Sequence, residues 1–174
     1  MNNRSPARRV VTVGVFTALA LGLSYLESLI PAFLPIPGMR LGLSNLLTVI
    51  LLYRASLHSA APVLFLRILL SALLFGTPVS FLYSLAGAVF SFLFMVFFHH
   101  VLPMSIFGVS MVGGVFHNVG QILCACLLLG SQTVFYYLPF LLPAGLVFGF
   151  CIGFLAALLC KKLPELPGYG GKMS

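Results

Sequence analysis

The sequence contains no aspartate, and its only acids are Glu27 and Glu165 among 174 residues. Two-carboxylate hydrolysis is thereby excluded, and so is a Mg²⁺ site of the kind that carboxylates hold. Charge of either sign is scarce. Charged residues make up 6% of the chain, against ~25% in a soluble domain, and hydrophobic residues 61%, against ~45–50%. With a mean hydropathy of +1.17, an ordinary water-soluble globule is excluded. Cysteine is sparse too: Cys124, Cys126, Cys151 and Cys160 all lie within or at the end of apolar runs. Cys124 and Cys126 are two residues apart and turn to different faces of a helix, which makes them a poor chelate. No metal centre and no cofactor is expected, and the thiols read as buried and reduced. The chain has no Gly-x-x-x-x-Gly-Lys-Ser/Thr phosphate loop, so it does not itself hydrolyse ATP.

What the sequence does have is apolar length. Taking ~20 residues per crossing, the runs divide into six predicted helices with short loops. These are Val10 to Ile30, about Gly38 to Tyr53, about Ala60 to Phe75, Val79 to Phe98, Ser105 to Leu129 and Val134 to Cys160. Pro31, Pro35 and Pro37, the Gly76-Thr77-Pro78 break, Pro103 and Gly130-Ser131-Gln132 punctuate them. The runs are continuous, which favours helices over the alternating strands of a barrel. The second run is short enough to raise a re-entrant segment. The net charge of +7 sits at the edges of the apolar runs. It therefore reads as a topology signal, and no nucleic-acid partner is expected. Arg4, Arg8 and Arg9, then Arg54, then Lys161, Lys162 and Lys172 fall on one side of a six-crossing bundle, which puts both termini in the cytoplasm. The expected organisation is a basic N-terminus over 1–9, a transmembrane domain over 10–160 and a cytoplasmic tail over 161–174. A cleavable leader ending at Ala18-Leu19-Ala20 is the lesser reading, because the first apolar stretch outruns the ~7–15 residues of a signal core.

Polar residues inside the spans carry the functional information, since an ionisable group near the bilayer centre costs ~2.5–3.5 kcal/mol and needs a partner or water. Arg67 lies near the middle of the third helix, too deep to reach either interface easily. In the fifth helix Ser110, Gly113, His117, Gln121 and Cys124 form one small or polar stripe, with Asn118 about 100° around. Their bland reading is interhelical hydrogen bonding; the functional one is the wall of a polar cavity. Ser44, Asn45 and Thr48, and Ser80, Ser84, Gly87 and Ser91, suit further walls. Glu27, Arg40, Asn45 and Gln121 fall in the outer half, so the pocket is expected to open outward, with the Pro31 to Gly38 connection over its mouth. Glu27 is expected to pair with Arg40 or Arg67, leaving one cation for an anionic or strongly accepting ligand group. Gly14, Ala18 and Gly22 in the first helix, and Gly145, Gly149, Gly153 and Ala157 in the sixth, have the small-xxx-small spacing of close helix packing, internal or toward another membrane protein.

Three motifs carry a family resemblance: Pro37-Gly38-Met39-Arg40-Leu41-Gly42-Leu43-Ser44-Asn45, Arg67-Ile68-Leu69 with Leu74-Phe75-Gly76-Thr77, and His117-Asn118-Val119-Gly120-Gln121. Together they resemble the Gx transporter family, often labelled heptaprenyl diphosphate synthase component I. That family is distantly similar to the substrate-binding S components of energy-coupling factor transporters, six-helix proteins of the bacterial plasma membrane. The resemblance implies an uptake subunit for a small vitamin-like or isoprenoid-precursor molecule, energised by an ATP-binding cassette module or another membrane coupling subunit. Gly14, Ala18 and Gly22 would then be the docking face, with Gly where the relatives have Ala. The family label implies an alternative, a membrane component of a heptaprenyl diphosphate synthase system. Such synthases hold diphosphate through Mg²⁺ on Asp-rich motifs, so this chain would be a non-catalytic companion. Arg67, His117, Asn118, Gln121, Asn45, Arg40, Glu27 and Ser84 are the expected substrate-binding residues.

Overall fold

The computed structural model describes residues 6–29, 42–102 and 104–162. Arg40, the Pro31 to Gly38 connection, residues 1–5 of the basic N-terminus and the tail beyond Lys162 lie outside the described residues. Six α-helices account for nearly all of the rest: α1 (Pro6–Leu29), α2 (Asn45–Arg54), α3 (Leu57–Phe75), α4 (Pro78–His100), α5 (Ile106–Leu129) and α6 (Leu138–Lys162). No strand occurs among the described residues.

Turn chemistry places the breaks where the sequence puts them. Thr77 caps α4, its hydroxyl accepting from the Ser80 N–H while the Ser80 hydroxyl accepts from the Thr77 N–H, and Pro78 opens the helix. The Ser105 hydroxyl caps α5, and Gly130, at φ +60°, stops it in the left-handed conformation that only glycine adopts without steric cost. Three helix starts differ from expectation by four residues or more: α1 begins at Pro6, ahead of Val10, because the helix continues through the polar residues that precede the apolar run. A 3-10 segment, Gln132–Tyr137, precedes α6, which begins at Leu138 instead of Val134. In the second element, described helix begins at Asn45 and not near Gly38, because Gly42 has φ +74°, which an α-helix cannot contain.

The consequence is a short helix in a bundle of long ones. α1, α3, α4, α5 and α6 with its 3-10 lead are long and apolar enough to cross a membrane, whereas α2 has 10 residues. At 1.5 Å per residue α2 spans about 15 Å, half of the ~30 Å hydrocarbon layer. It is nonetheless the centre of the core, buried continuously from Asn45 to Leu52. Val49, Ile50 and Leu51 are enclosed by Ala60 and Val63 of α3, Met95 of α4, Val109 of α5 and Ala156 of α6.

Long-range contacts tie one end of the bundle together. Arg54 at the end of α2 donates to the Cys160 carbonyl of α6 (2.5 Å), and the Tyr53 hydroxyl donates to the Met104 carbonyl before α5 (2.8 Å). The Tyr53 ring meets His99 at the end of α4 edge-on, 4.4 Å between centroids. Near the start of α1, Arg9 donates to the His58 carbonyl in the first turn of α3 (2.6 Å). That carbonyl would normally accept from residue 62, but Pro62 has no N–H, so Arg9 supplies the missing donor. Every described Lys and Arg except Arg67 belongs to this end: Arg8, Arg9, Arg54, Lys161 and Lys162. The two outer ends of the described chain therefore share one face of the bundle.

Helix packing separates the two small-residue stripes. A Cβ on Gly114 of α5 would lie 2.3 Å from the Gly145 carbonyl oxygen of α6, and one on Gly149 would lie 2.7 Å from the backbone of α5. The α6 stripe is thus internal, holding α5 and α6 backbone to backbone. α1 packs through Phe16, Thr17, Ala20, Ser24 and Glu27, mainly onto α3. On its other side Gly14, Ala18 and Gly22 are exposed, and a Cβ on Gly14 or Gly22 meets nothing within 4 Å.

Candidate functional site

Of the polar stripe on α5, Ser110, Gly113, His117 and Gln121 are buried together with Asn118, and Cys124 is half-buried. The His117 ring fits against the bare face of Gly87 on α4, where a Cβ would come within 2.8 Å of it. One turn along α5, the Gln121 amide lies 3.1 Å from His117 Nε2. With the amide donating, a neutral imidazole carries its proton on Nδ1. Asn118, next to His117 on α5, donates to the Leu141 carbonyl of α6 (2.7 Å), joining the two helices at the edge of the cleft it also lines. Across the bundle, the Asn45 amide at the first position of α2 reaches the Ser91 hydroxyl of α4 at 3.5 Å.

These side chains surround a cleft between α2, α4, α5 and α6. Gly42, Asn45 and Val49 form one wall and Met95 a second. Ser110, Gly114, His117 and Asn118 of α5 face Gly145, Phe148, Gly149 and Ile152 of α6 across it. The open space is about 20 Å³, room for about one water molecule. Pockets for drug-sized ligands measure ~300–1,000 Å³. A vitamin-sized molecule therefore enters only if these helices move apart.

Two acceptors near the cleft have no hydrogen-bond donor among the described residues: Asn45 Oδ1 and Gln121 Oε1, on side chains that are 6% and 4% exposed. Leaving a buried polar atom unsatisfied costs ~1–3 kcal/mol, so each is a place where a donor on a ligand or a water is favoured. Chemically, the cleft offers amides and an imidazole on small and apolar walls, suited to orienting a compact polar group.

The remaining expected residues form a second cluster at the N-terminus of α2. Glu27 of α1, 8% exposed, accepts the Gly42 N–H at 2.5 Å. Arg67 of α3, equally buried, donates to the Ser44 hydroxyl. The leading turn of α2 is thus gripped from two helices. Ser84 is buried on α4 away from the cleft walls, and the pairing of Glu27 with Arg40 falls outside the described residues. Of the expected residues, then, the structure brings Asn45, His117 and Asn118 to the cleft, puts Gln121 behind His117, and sets Glu27 and Arg67 one residue layer away. Sequence reasoning missed Val49, Met95, Phe148 and Ile152, because an apolar cleft wall in a membrane helix has the same signature as core. Gly42 had a usable signal, a glycine three residues before the helix start.

Five described helices long and apolar enough to cross a membrane, packed around a short buried one with a cleft carrying a few polar side chains among them, define a helical multi-pass membrane protein. The family model for heptaprenyl diphosphate synthase component I matches residues 16–159, and the chain belongs to that family. No match was found among curated proteins or among solved structures.

Proposed function

We propose that the chain is the substrate-binding membrane subunit of an uptake transporter for a small polar molecule, energised by a partner. The observation that carries this reading is the convergence of Asn45, His117 and Asn118 from two helices on one cleft in an otherwise apolar bundle. A purely structural anchor has no need of such groups, which are costly in a membrane unless paired. The absence of aspartate and of a phosphate loop argues for a non-catalytic subunit that takes its energy from elsewhere. With the basic end facing the cytoplasm of a bacterial cell, both termini are internal and the N-terminus of α2 faces the outer half of the membrane. The exposed Gly14, Ala18 and Gly22 face is the proposed contact with the coupling subunit. The test is extraction of small molecules from the purified chain, with mass-spectrometric comparison to His117→Ala and Asn45→Ala. A compound recovered with the parent near one per chain and lost from both folded variants supports binding in the cleft. Recovery of the same compound from both variants overturns it.

The family description favours a second reading, a non-catalytic membrane companion of a prenyl diphosphate synthase. On that reading the partner is a separate Asp-rich enzyme, and the α1 face is where it or its product meets the bundle.

A further inference from the structure

The cleft is nearly shut, and what holds its α2 wall in place is not in the cleft. Gly42 and Asn45 line that wall, and the turn between them is held from behind by Glu27 of α1 and Arg67 of α3. α2 is too short to be fixed by spanning the bilayer. Its position rests on packing and on these polar contacts, which act at the end bordering the cleft. Glu27 sits on the same helix as the exposed Gly14, Ala18 and Gly22, but on the opposite, buried face. One rigid helix therefore carries an unpartnered outer face and the group that holds the cleft wall.

We propose that Glu27 is a positioning residue, a clamp that sets the width of the cleft through the Gly42 N–H, so that displacement of α1 against α3 opens the cleft. When α1 shifts against α3, the carboxylate leaves the Gly42 amide, the leading turn of α2 is released, and α2 swings away from α5 and α6. Gly42 suits this role because it precedes the first residue of α2, so its N–H lies outside the helical hydrogen-bond ladder and is given to Glu27. The inference deepens the transport reading and rests on it for the purpose of the motion. The motion itself is testable with neither substrate nor partner.

The experiment uses the full chain in detergent, with Cys124, Cys126, Cys151 and Cys160 replaced by alanine and Ser110→Cys as a reporter inside the cleft. The readout is the rate of modification by a small methanethiosulfonate reagent, with gel filtration and circular dichroism confirming fold. Glu27→Ala is expected to speed labelling at least tenfold. Glu27→Gln retains an acceptor for the Gly42 N–H and is expected to stay within threefold of the parent. Equal rates for Glu27→Ala and the parent overturn the clamp. Equal, fast rates for both variants overturn the role of the Gly42 hydrogen bond in favour of charge. A second arm leaves Glu27 intact. Tyr25 of α1 and Phe75 of α3 meet with ring centroids 5.8 Å apart, so Tyr25→Cys with Phe75→Cys allows α1 to be locked to α3 by a short bifunctional thiosulfonate before the reporter is assayed. Because the lock consumes accessible thiols, Ser110→Cys is counted by the reagent afterwards against an unlocked sample carrying the same three cysteines. The locked chain is expected to label at least fivefold more slowly, and labelling at an unchanged rate overturns the opening by α1 displacement. A failure here leaves the small-molecule extraction result standing, and a failure there leaves these rates unaffected.

Discussion

At the level of single residues, the polar groups divide by what they touch. Asn118 is committed to the Leu141 carbonyl, so Asn118→Ala is expected to loosen the α5 to α6 contact by about 1 kcal/mol, read as a lower midpoint in detergent unfolding. Gly114 is more critical. Its added Cβ would meet the Gly145 carbonyl oxygen at 2.3 Å, and neither backbone can yield without separating the helices. Gly114→Val is expected to cost at least about 1–3 kcal/mol or to prevent folding, while Gly22→Ala, facing open space, is expected to leave the unfolding midpoint unchanged or raise it slightly. In the sequence the α6 stripe that Gly114 packs against and the Gly14 to Gly22 stripe look alike, since small-xxx-small spacing is the same whether the partner helix lies within the chain or outside it. His117, Asn118 and Gln121 were legible as a constellation because polar side chains are conspicuous in an apolar helix. Their apolar companions in the cleft, Val49, Met95, Phe148 and Ile152, were not.

Among the elements, α3 shows how a sequence defect and its remedy lie far apart. Pro62 deprives the His58 carbonyl of its helical donor, and Arg9, on another helix, replaces it. Removing the defect should remove the need. Arg9→Ala is expected to lower stability in the parent and to cost measurably less in a Pro62→Ala background, a coupling that a double-mutant cycle in detergent unfolding would quantify. α1 differs in having one face packed onto the bundle and one exposed. Leucine at both Gly14 and Gly22 is expected to leave the purified chain folded and to abolish recovery of a membrane partner; misfolding of that variant would show the face to be internal packing. Helix ends were readable wherever Pro, Gly and hydroxyl caps coincide, as at Thr77-Pro78 and Ser105. The start of α2 was not, because Leu41 and Leu43 continue the apolar run across Gly42, and hydropathy carries no information about the sign of φ. That backbone angle closes α2 on its N-terminal side, and the non-helical Ala55 closes it on the other.

For the molecule as a whole, charge and geometry agree. The described cations other than Arg67 share one end, which also holds the start of α1 and the end of α6. Reporter fusions at either terminus should therefore report the same side of the membrane, and opposite sides would contradict a bundle closed as described. The bundle sets long helices around a short central one, with a narrow cleft beside it lined by small and apolar residues and four polar ones. On the proposed reading it is a subunit energised by a partner. What the bundle does therefore depends on what it associates with. The decisive measurement is purification of the tagged chain from its own membranes in mild detergent, with identification of co-purifying proteins by mass spectrometry. Recovery of ATP-binding cassette subunits with a coupling membrane protein, lost when Gly14 and Gly22 are both leucine, is the expected result. Recovery of an Asp-rich prenyl diphosphate synthase in their place would contradict the transport reading and make the α1 face a docking surface for that enzyme.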